Sequence, residues 1–217
     1  MQEQNFTIRV IQSDSDHDLQ AVARMHMDLL HFGPMAGLGE SFVREVCYRA
    51  LMRAEVLTVA ILEIGGQPGG FVAYTANSYD FHRLGMRKSA LIAMRELLRA
   101  AVRQWRRPDR IVRAIGVILA RRKENQPLPG ANGEVVCVAV RPEFLRPRFA
   151  RESGLRASEE LIKYSAEALR RSGVRSMRML VDADNRAVLL LYHRLGARFE
   201  TYEQAGEPMV QVWFDLD

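Results

Sequence analysis

Three short stretches of this chain carry residue types whose spacing could do chemistry. The first is "RESGLRA", Arg151 to Ala157, which sets a glycine among arginines just before an amphipathic pattern. A helix start presents unpaired backbone N–H groups and a partial positive charge, and so can hold phosphate. Gly154 would let a phosphate approach the main chain. Arg148, Arg151 and Arg156 could add charge-assisted contacts to a pyrophosphate or a ribose phosphate. One glycine among arginines also reads as an ordinary loop with solvated side chains. The second stretch is "VDADNRAVLLLYHRLGARFE", residues 181 to 200, an apolar strand running straight into a helix. Asn185 is a good N-cap residue at that joint. Ala187, Leu190, Leu191 and Leu195 form one apolar stripe, and Tyr192 falls at its flank beside Val188. A flank tyrosine can pack its ring and still turn its hydroxyl to a cleft, or it can simply complete the core edge. The third stretch is "GEVVCVAVRPEF", Gly133 to Phe144, a near-continuous apolar run opened by Glu134. It reads as a central, buried strand.

The elements that must position these residues follow from periodicity. "FTIRVI", Phe6 to Ile11, is a first strand. "DLQAVARMHMDLLHF" and "ESFVREVCYRALMR" are two helices separated by "GPMAGLG". "VLTVAILE", "GGQPGG" and "FVAYTAN" make a hairpin about a glycine-proline turn. Residues 80 to 125 read as a helical segment interrupted at Pro108, and "ENQPLPGANG" closes it as a loop. After the central strand, "RPEFLRPRFARESG" reads as a loop. A helix "LRASEELIKYSAEALRRSG" ends at Gly173, "VRSMRMLVDAD" is a strand, and "PMVQVWFDLD" closes the chain as a strand. A strand-helix-strand unit late in the chain implies a parallel pair, and the hairpin implies antiparallel pairing. A mixed α/β sheet flanked by helices satisfies both.

Composition bounds the class. The chain has 217 residues, 48% of them hydrophobic, and carries 31 basic against 26 acidic residues. That is enough apolar material for one large domain, residues 1–217, with the helical segment at about 80–125 as an insertion. Cys47 and Cys137 each lie in an apolar run, which suits buried free thiols in a reducing compartment rather than a disulfide framework. The N-terminus shows no basic-then-apolar leader, and no run of about 18 apolar residues occurs, so a cytoplasmic protein is expected. The five histidines are scattered and neither cysteine has ligand spacing, so no metal is expected.

The element order and the three stretches together resemble the GNAT N-acetyltransferase superfamily. Its late strand and helix commonly read Asn, Ala, Leu-Tyr, Leu-Gly-Phe with fixed spacers; here stand Asn185, Ala187, Leu191-Tyr192 and Leu195-Gly196, with Ala197 in place of the aromatic. "GEVVCVAVRPEF" is similar to the family's central strand. "RESGLRA" is similar to its acyl-CoA loop, although Arg156 stands where the family has glycine or alanine and Ala157 comes one place late. Another register would use Arg146-Pro147-Arg148 and has no glycine. The resemblance covers about residues 130 to 200 firmly, residues 6 to 78 weakly, and not 80 to 125. It implies acetyl-CoA as cosubstrate and a primary amine of a small molecule as acceptor. The main chain at Val138, Ala139 and Val140 would pair with the pantetheine amides, as an added strand does. Arg148, Arg151, Gly154, Leu155, Arg156 and Ala157 would form the pyrophosphate loop, with Asn185 near the CoA arm. Tyr192 would protonate the departing thiolate, a task suited to a phenol that is neutral at pH 7. Glu134 would take the proton that an ammonium must lose before it attacks, with Tyr79 and His82 as other groups near the acceptor.

Most of the net positive charge lies between Arg83 and Lys123, with 13 Lys and Arg against Glu96 and Asp109. Three readings stand side by side: a lid that draws in an anionic acceptor such as a phosphorylated amino sugar, a basic amphipathic segment on an anionic membrane, or a solvated helical pair that packs on the sheet or on a dimer partner. Nucleic acid is not expected, since no reading motif accompanies the charge. An inactive GNAT-like module that uses this segment for membrane or partner contact is the alternative to an enzyme.

Overall fold

The computed structural model describes residues 5–31, 35–103, 116, 133–204 and 207–216. Its strands are β1 (Phe6–Val10), β2 (Thr58–Ile64), β3 (Gln67–Thr75), β4 (Gly133–Val140), β5 (Ser176–Asp182), β6 (Arg198–Gln204) and β7 (Glu207–Asp215). They form one seven-stranded sheet in the order β1-β2-β3-β4-β5-β7-β6. The β4–β5 pair is parallel and the other described pairs are antiparallel. This is the mixed α/β sheet expected from the element order.

The β2–β3 hairpin turns on Gly65 and Gly66 alone, with φ of 58° and 76°. Two successive left-handed residues match the right-handed twist of a tight hairpin. The expected turn over the whole "GGQPGG" stretch is therefore too long, because the strand resumes at Gln67. A register shift between Leu62 and Glu63 then brings Gly70 against β4, where an added Cβ would lie 2.8 Å from the Ala139 carbonyl oxygen. Glycine at this position lets β3 and β4 approach closely.

Helices cover both faces. On one face, α1 (Asp16–Leu29) buries Leu19, Val22, Ala23 and Met25 at helical spacing. A continuous helical element, α2, spans 40–53; its middle, Val43–Ala50, is wound as a π-helix. The long helix α3 runs Ser78–Arg103. Ile11, Leu19, Val22, Tyr48, Phe71 and Ala139 share the core on this side. On the opposite face, α6 (Ala157–Arg171) is the crossover between β4 and β5, and α7 (Arg186–Arg194) follows β5. Their core contains Leu62, Val72, Val135, Leu161, Leu169, Met179 and Val212.

Two sequence expectations are corrected. The stretch read as a loop after the central strand folds as two short helices, α4 (Pro142–Leu145) and α5 (Pro147–Ser153). Each opens on a proline, which is tolerated at a first helical position because that N–H has no partner there anyway. The strand β6 was not anticipated. Its sequence RFETYEQ is mostly polar and it lies at the sheet edge, so the usual apolar alternation is weak. The expected break at Pro108 and the closing loop before Gly133 lie outside the described residues. Among those residues, no helix is long and apolar enough to cross a membrane.

Candidate functional site

The parallel pair that builds the centre of the sheet is short. β4 and β5 are in register at Gly133↔Met177 and Glu134↔Arg178, and no further pair joins them among the described residues. On its other side, β4 stays paired with β3 as far as Val140. The Arg141 N–H donates to the Gly69 carbonyl at 2.9 Å, which fixes the alternation along the strand. Ala139 and Cys137 thus turn their main-chain groups toward β3, while Val138 and Val140 turn theirs toward the side that β5 has left. A row of backbone donors and acceptors faces a gap inside the sheet. Of the three strand positions predicted from sequence, Val138 and Val140 have this orientation and Ala139 does not.

A bulge adjoins the gap. Ala73 pairs with Cys137 and Tyr74 with Val135, so Val136 is extra. Val136 and Cys137 consequently both pack on the α1 side, while Val135, Val138 and Val140 pack on the α6 side. The apolar run "EVVCVAV" conceals this change of face.

Tyr192 lies on the α6 side, in the same core as Val138, Val140, Leu155 and Ala157. It is 3% exposed and meets Phe214 edge-to-face at 6.0 Å between ring centres. Burial pushes its phenol well above the usual value, so the group is protonated at neutral pH. Its hydroxyl has no hydrogen-bond partner among the described residues, and it is not among the buried side-chain polar atoms there that lack one; the atom that is, Arg49 Nε, lies 3.1 Å from the Glu45 carboxylate. The hydroxyl therefore reaches solvent while the ring is held in the core. Asn185 caps α7, accepting the Val188 N–H on its side-chain oxygen at 3.3 Å.

The arginine-rich stretch is arranged differently from the expectation. Gly154 ends α5 in a left-handed conformation, φ 71°, with its N–H on the Ala150 carbonyl. Helix α6 starts three residues later, at Ala157, with Arg156 at its N-cap and no side-chain cap. The first intrahelical bond there is from the Glu160 N–H to the Arg156 carbonyl. The preceding N–H groups of this first turn are the unpaired donors of any helix start. Leu155 and Ala157 are buried and anchor the turn. Arg148 and Arg151 are exposed, with Arg148 on Glu152 at 2.7 Å. Arg156 reaches Glu159 at 3.2 Å, and Arg194 of α7 lies 3.8 Å from the same carboxylate.

The α1 side of β4 holds polar groups that already satisfy one another. Glu134 is 4% exposed in its side chain and accepts from Arg178 Nε and Nη2 on Oε2, at 3.1 and 2.9 Å. The two residues are cross-strand neighbours at the end where β4 and β5 still pair. Proton uptake by Glu134 must compete with that ion pair. Further along β4, Cys137 Sγ lies 3.6 Å from the Tyr48 hydroxyl, which lies 2.6 Å from His26 Nδ1. Burial lowers the His26 pKa to about 4, so the ring is neutral, and it pushes the Tyr48 phenol up. This part-buried chain was not found from sequence. His26 and Tyr48 each fit the apolar face of a helix, and nothing in the residue pattern shows that α1 and the π-wound α2 set them side by side. The side chains of Tyr79 and His82 lie outside what is described. Among the described residues, no cluster of three metal-ligating side chains occurs.

Solved structures of known proteins share this fold. A Desulfovibrio desulfuricans protein assigned provisionally to the GNAT acetyltransferases aligns with a TM-score of 0.58 at 14% identity, over 98% of this chain and all of that one. YncA of Salmonella typhimurium, likewise a provisional acetyltransferase and solved with acetyl-CoA, gives 0.56 at 14% identity over 98% of this chain and 94% of its own. The PaiA N-acetyltransferase of Thermoplasma acidophilum, solved with coenzyme A, gives 0.54 at 10% identity over 95% and 98%. The chain has the GNAT fold. No family model matches the sequence, and no curated protein matches it. Within the GNAT fold, the chain brings Val138, Val140, Leu155, Ala157 and Tyr192 onto one side of the sheet. It sets Ala139 in the core of the other side, where the Cys137–Tyr48–His26 chain lies.

Proposed function

We propose that this protein is an acyl-CoA-dependent N-acyltransferase that moves an acetyl group from acetyl-CoA to a primary amine of a small molecule. Residues 1–217 act as one such domain, with the segment at about 80–125 inserted between β3 and β4. The observation that carries the reading is the early separation of β4 from β5, which leaves the main chain of Val138 and Val140 facing a gap, with Tyr192 in the core on the same side of the sheet as their side chains. An extended chain bearing amides can pair with such an edge as an added strand. The residues fit pantetheine in type: backbone donors and acceptors along the gap, apolar side chains beneath, and uncapped N–H groups at the start of α6 for the phosphates. Gly154, Arg148, Arg151 and Arg156 border that start, and Asn185 opens the helix that carries Tyr192.

In this reading the amine nitrogen attacks the thioester carbonyl, the carbon–sulfur bond breaks, and the amide forms. Tyr192, held protonated by burial, gives its proton to the departing sulfur. Glu134, directly or through water, takes the proton the ammonium loses before attack; the nitrogen sheds its second proton to solvent as the amide forms, and Tyr192 is reprotonated from solvent. Arg178 fixes the position of that carboxylate. The basic segment supports an anionic acceptor, such as a phosphorylated amino sugar.

One observation favours a second reading, a GNAT-fold module without turnover. The first turn of α6 carries Glu159 and Glu160, and Arg156 is tied to Glu159. Carboxylates at a helix start oppose a bound phosphate. Calorimetric titration with acetyl-CoA separates the two. Micromolar binding, followed by thiol release on adding an amine panel, supports the enzyme. Silence at millimolar acetyl-CoA overturns it, and binding without thiol release selects the module.

A further inference from the structure

The long helix α3 is apolar on two opposite faces. Its inner face packs Ile92, Ala93, Leu97 and Ala100 against Leu38, Phe42 and Val46. Glu96 is buried on that side, 1% exposed in its side chain, where the Ser41 hydroxyl donates to it at 2.9 Å and Arg99 at 2.5 Å. Those bonds hold its carboxyl below the usual range although burial acts the other way. The outer face carries Leu91, Met94, Leu98 and Val102, which are 81%, 57%, 64% and 77% exposed. Their spacing of three, four and four residues sets them in one stripe along the helix. A single exposed leucine needs no explanation, but a contiguous row of four large apolar side chains marks a surface that is covered in use.

The charges around the stripe identify what covers it. Arg87, Arg95 and Arg99 are exposed and flank the row; Arg95 and Arg99 both pair with Glu96, at 3.4 and 2.5 Å, so the three arginines outweigh the one carboxylate. Glu96, the carboxylate of this part of α3, points away into the fold. Between Arg87 and Val102 the outer face thus joins apolar side chains to arginines, with no exposed acid among the described residues. A second copy of the same face would set arginine against arginine. Its exposed area, on the order of a few hundred Å², also falls below the roughly 800 Å² per partner of a standard interface. A bilayer with anionic headgroups meets both requirements. Guanidinium groups pair with phosphate, and the leucines, methionine and valine enter the acyl boundary. We propose that the outer face of α3, Arg87 to Val102, is a peripheral docking surface for anionic lipid bilayers. Helix α3 lies in the interface plane, with its arginines drawn toward the negative surface potential of the headgroups. This inference does not depend on acyl transfer.

The test is sedimentation of the full chain with vesicles of phosphatidylcholine and 30 mol% phosphatidylglycerol at 0.1 M NaCl. Binding is expected there, at least tenfold weaker on pure phosphatidylcholine or at 0.5 M NaCl. The arginine-rich sequence beyond α3 could bind anionic lipid by charge alone, so the apolar stripe is tested by Leu91→Ser with Leu98→Ser. Both positions are exposed, so the melting temperature should hold while the partition coefficient falls about tenfold. Met94→Ser with Val102→Ser is the second pair should the first fail to fold. Absence of binding to the anionic vesicles overturns the proposal. So does unchanged binding by folded stripe variants, or equal binding to neutral vesicles. A dimer in lipid-free buffer that the stripe variants convert to monomer would assign the face to a second copy and overturn it as well.

Discussion

The two sides of β4 are built on opposite rules. On the α6 side, the residues beside the gap are apolar, and the groups left without partners are the main chain of Val138 and Val140 and the Tyr192 hydroxyl. On the α1 side, the polar side chains bond to one another: Glu134 to Arg178, and Cys137 through Tyr48 to His26. A polar group shut away from water without a partner is costly, so main-chain groups that face a gap and a hydroxyl left open to solvent mark a place that a ligand can complete. The contrast separates groups that await a ligand from groups that hold the scaffold, and each side can be tested against the other.

The largest effect is expected at the Glu134–Arg178 pair. Arg178→Met leaves a carboxylate buried without its cation, which should cost about 3–5 kcal/mol of stability. Adding Glu134→Gln to that background should recover most of the loss, since removing both charges of a buried pair is far milder than removing one. Chemical denaturation of the two single variants and the double variant gives the coupling. Independent effects would show that the pair is not the scaffold element described. Glu134→Gln alone also tests the catalytic assignment: a folded protein with unchanged amine acylation would remove Glu134 from the chemistry.

Tyr192 should behave in the opposite way. Tyr192→Phe keeps the ring against Phe214 and removes only the hydroxyl, which has no partner to lose. Stability should change by less than about 1 kcal/mol, while turnover should fall roughly 100-fold, the lower range for loss of a general acid. The acetyl-CoA affinity should be unchanged. A stability loss with unaltered turnover would move Tyr192 to the scaffold side.

How much of this was legible in the sequence follows the same division. The α6 side was readable because its signals are local: an asparagine at a strand-to-helix joint, a leucine stripe with a flanking tyrosine, an apolar strand. Asn185 caps, Tyr192 packs with its hydroxyl outward, and Val138 and Val140 face the gap. The α1 side was opaque because it depends on geometry that residue types do not encode. The extra residue Val136 changes which side chains face α1, and the contact of Tyr48 with His26 joins two separate helices, the π-wound α2 and α1. The arginine loop was half legible. Its residues border the start of α6, but Gly154 serves the end of α5, and two prolines that resembled loop breakers begin helices. The order of β7 between β5 and the polar edge strand β6 had no local signature at all.

A pH titration probes the scaffold side further. His26 is neutral in the fold with a pKa near 4, against about 6.5 in an unfolded chain. As pH falls from 6.5 toward 4, the unfolded state takes up a proton that the folded state refuses, so stability declines across that window. The shift corresponds to roughly 3 kcal/mol. Asp18, held at about 2 by hydrogen bonds from Arg9, loses its contribution below this window. Denaturation midpoints measured at pH 7, 6, 5 and 4.5 should decline, and His26→Gln should flatten the slope. An equal slope in that variant would place the titration elsewhere.

The smallest expected effect separates two roles at the joint between β5 and α7. Asn185 caps the helix, and the gap side of the comparison would also let it meet a ligand. Asn185→Ser keeps a capping oxygen and should cost only a few tenths of a kcal/mol, whereas Asn185→Ala should cost about 1 kcal/mol. If capping is its whole role, acetyl-CoA affinity follows stability: unchanged in the serine variant and slightly weaker in the alanine variant, through a looser α7. If the amide itself contacts the ligand, both variants bind more weakly by a similar factor, because serine cannot reproduce an amide donor at that reach. Calorimetry on the two variants, read beside their melting temperatures, decides which side of the division Asn185 belongs to.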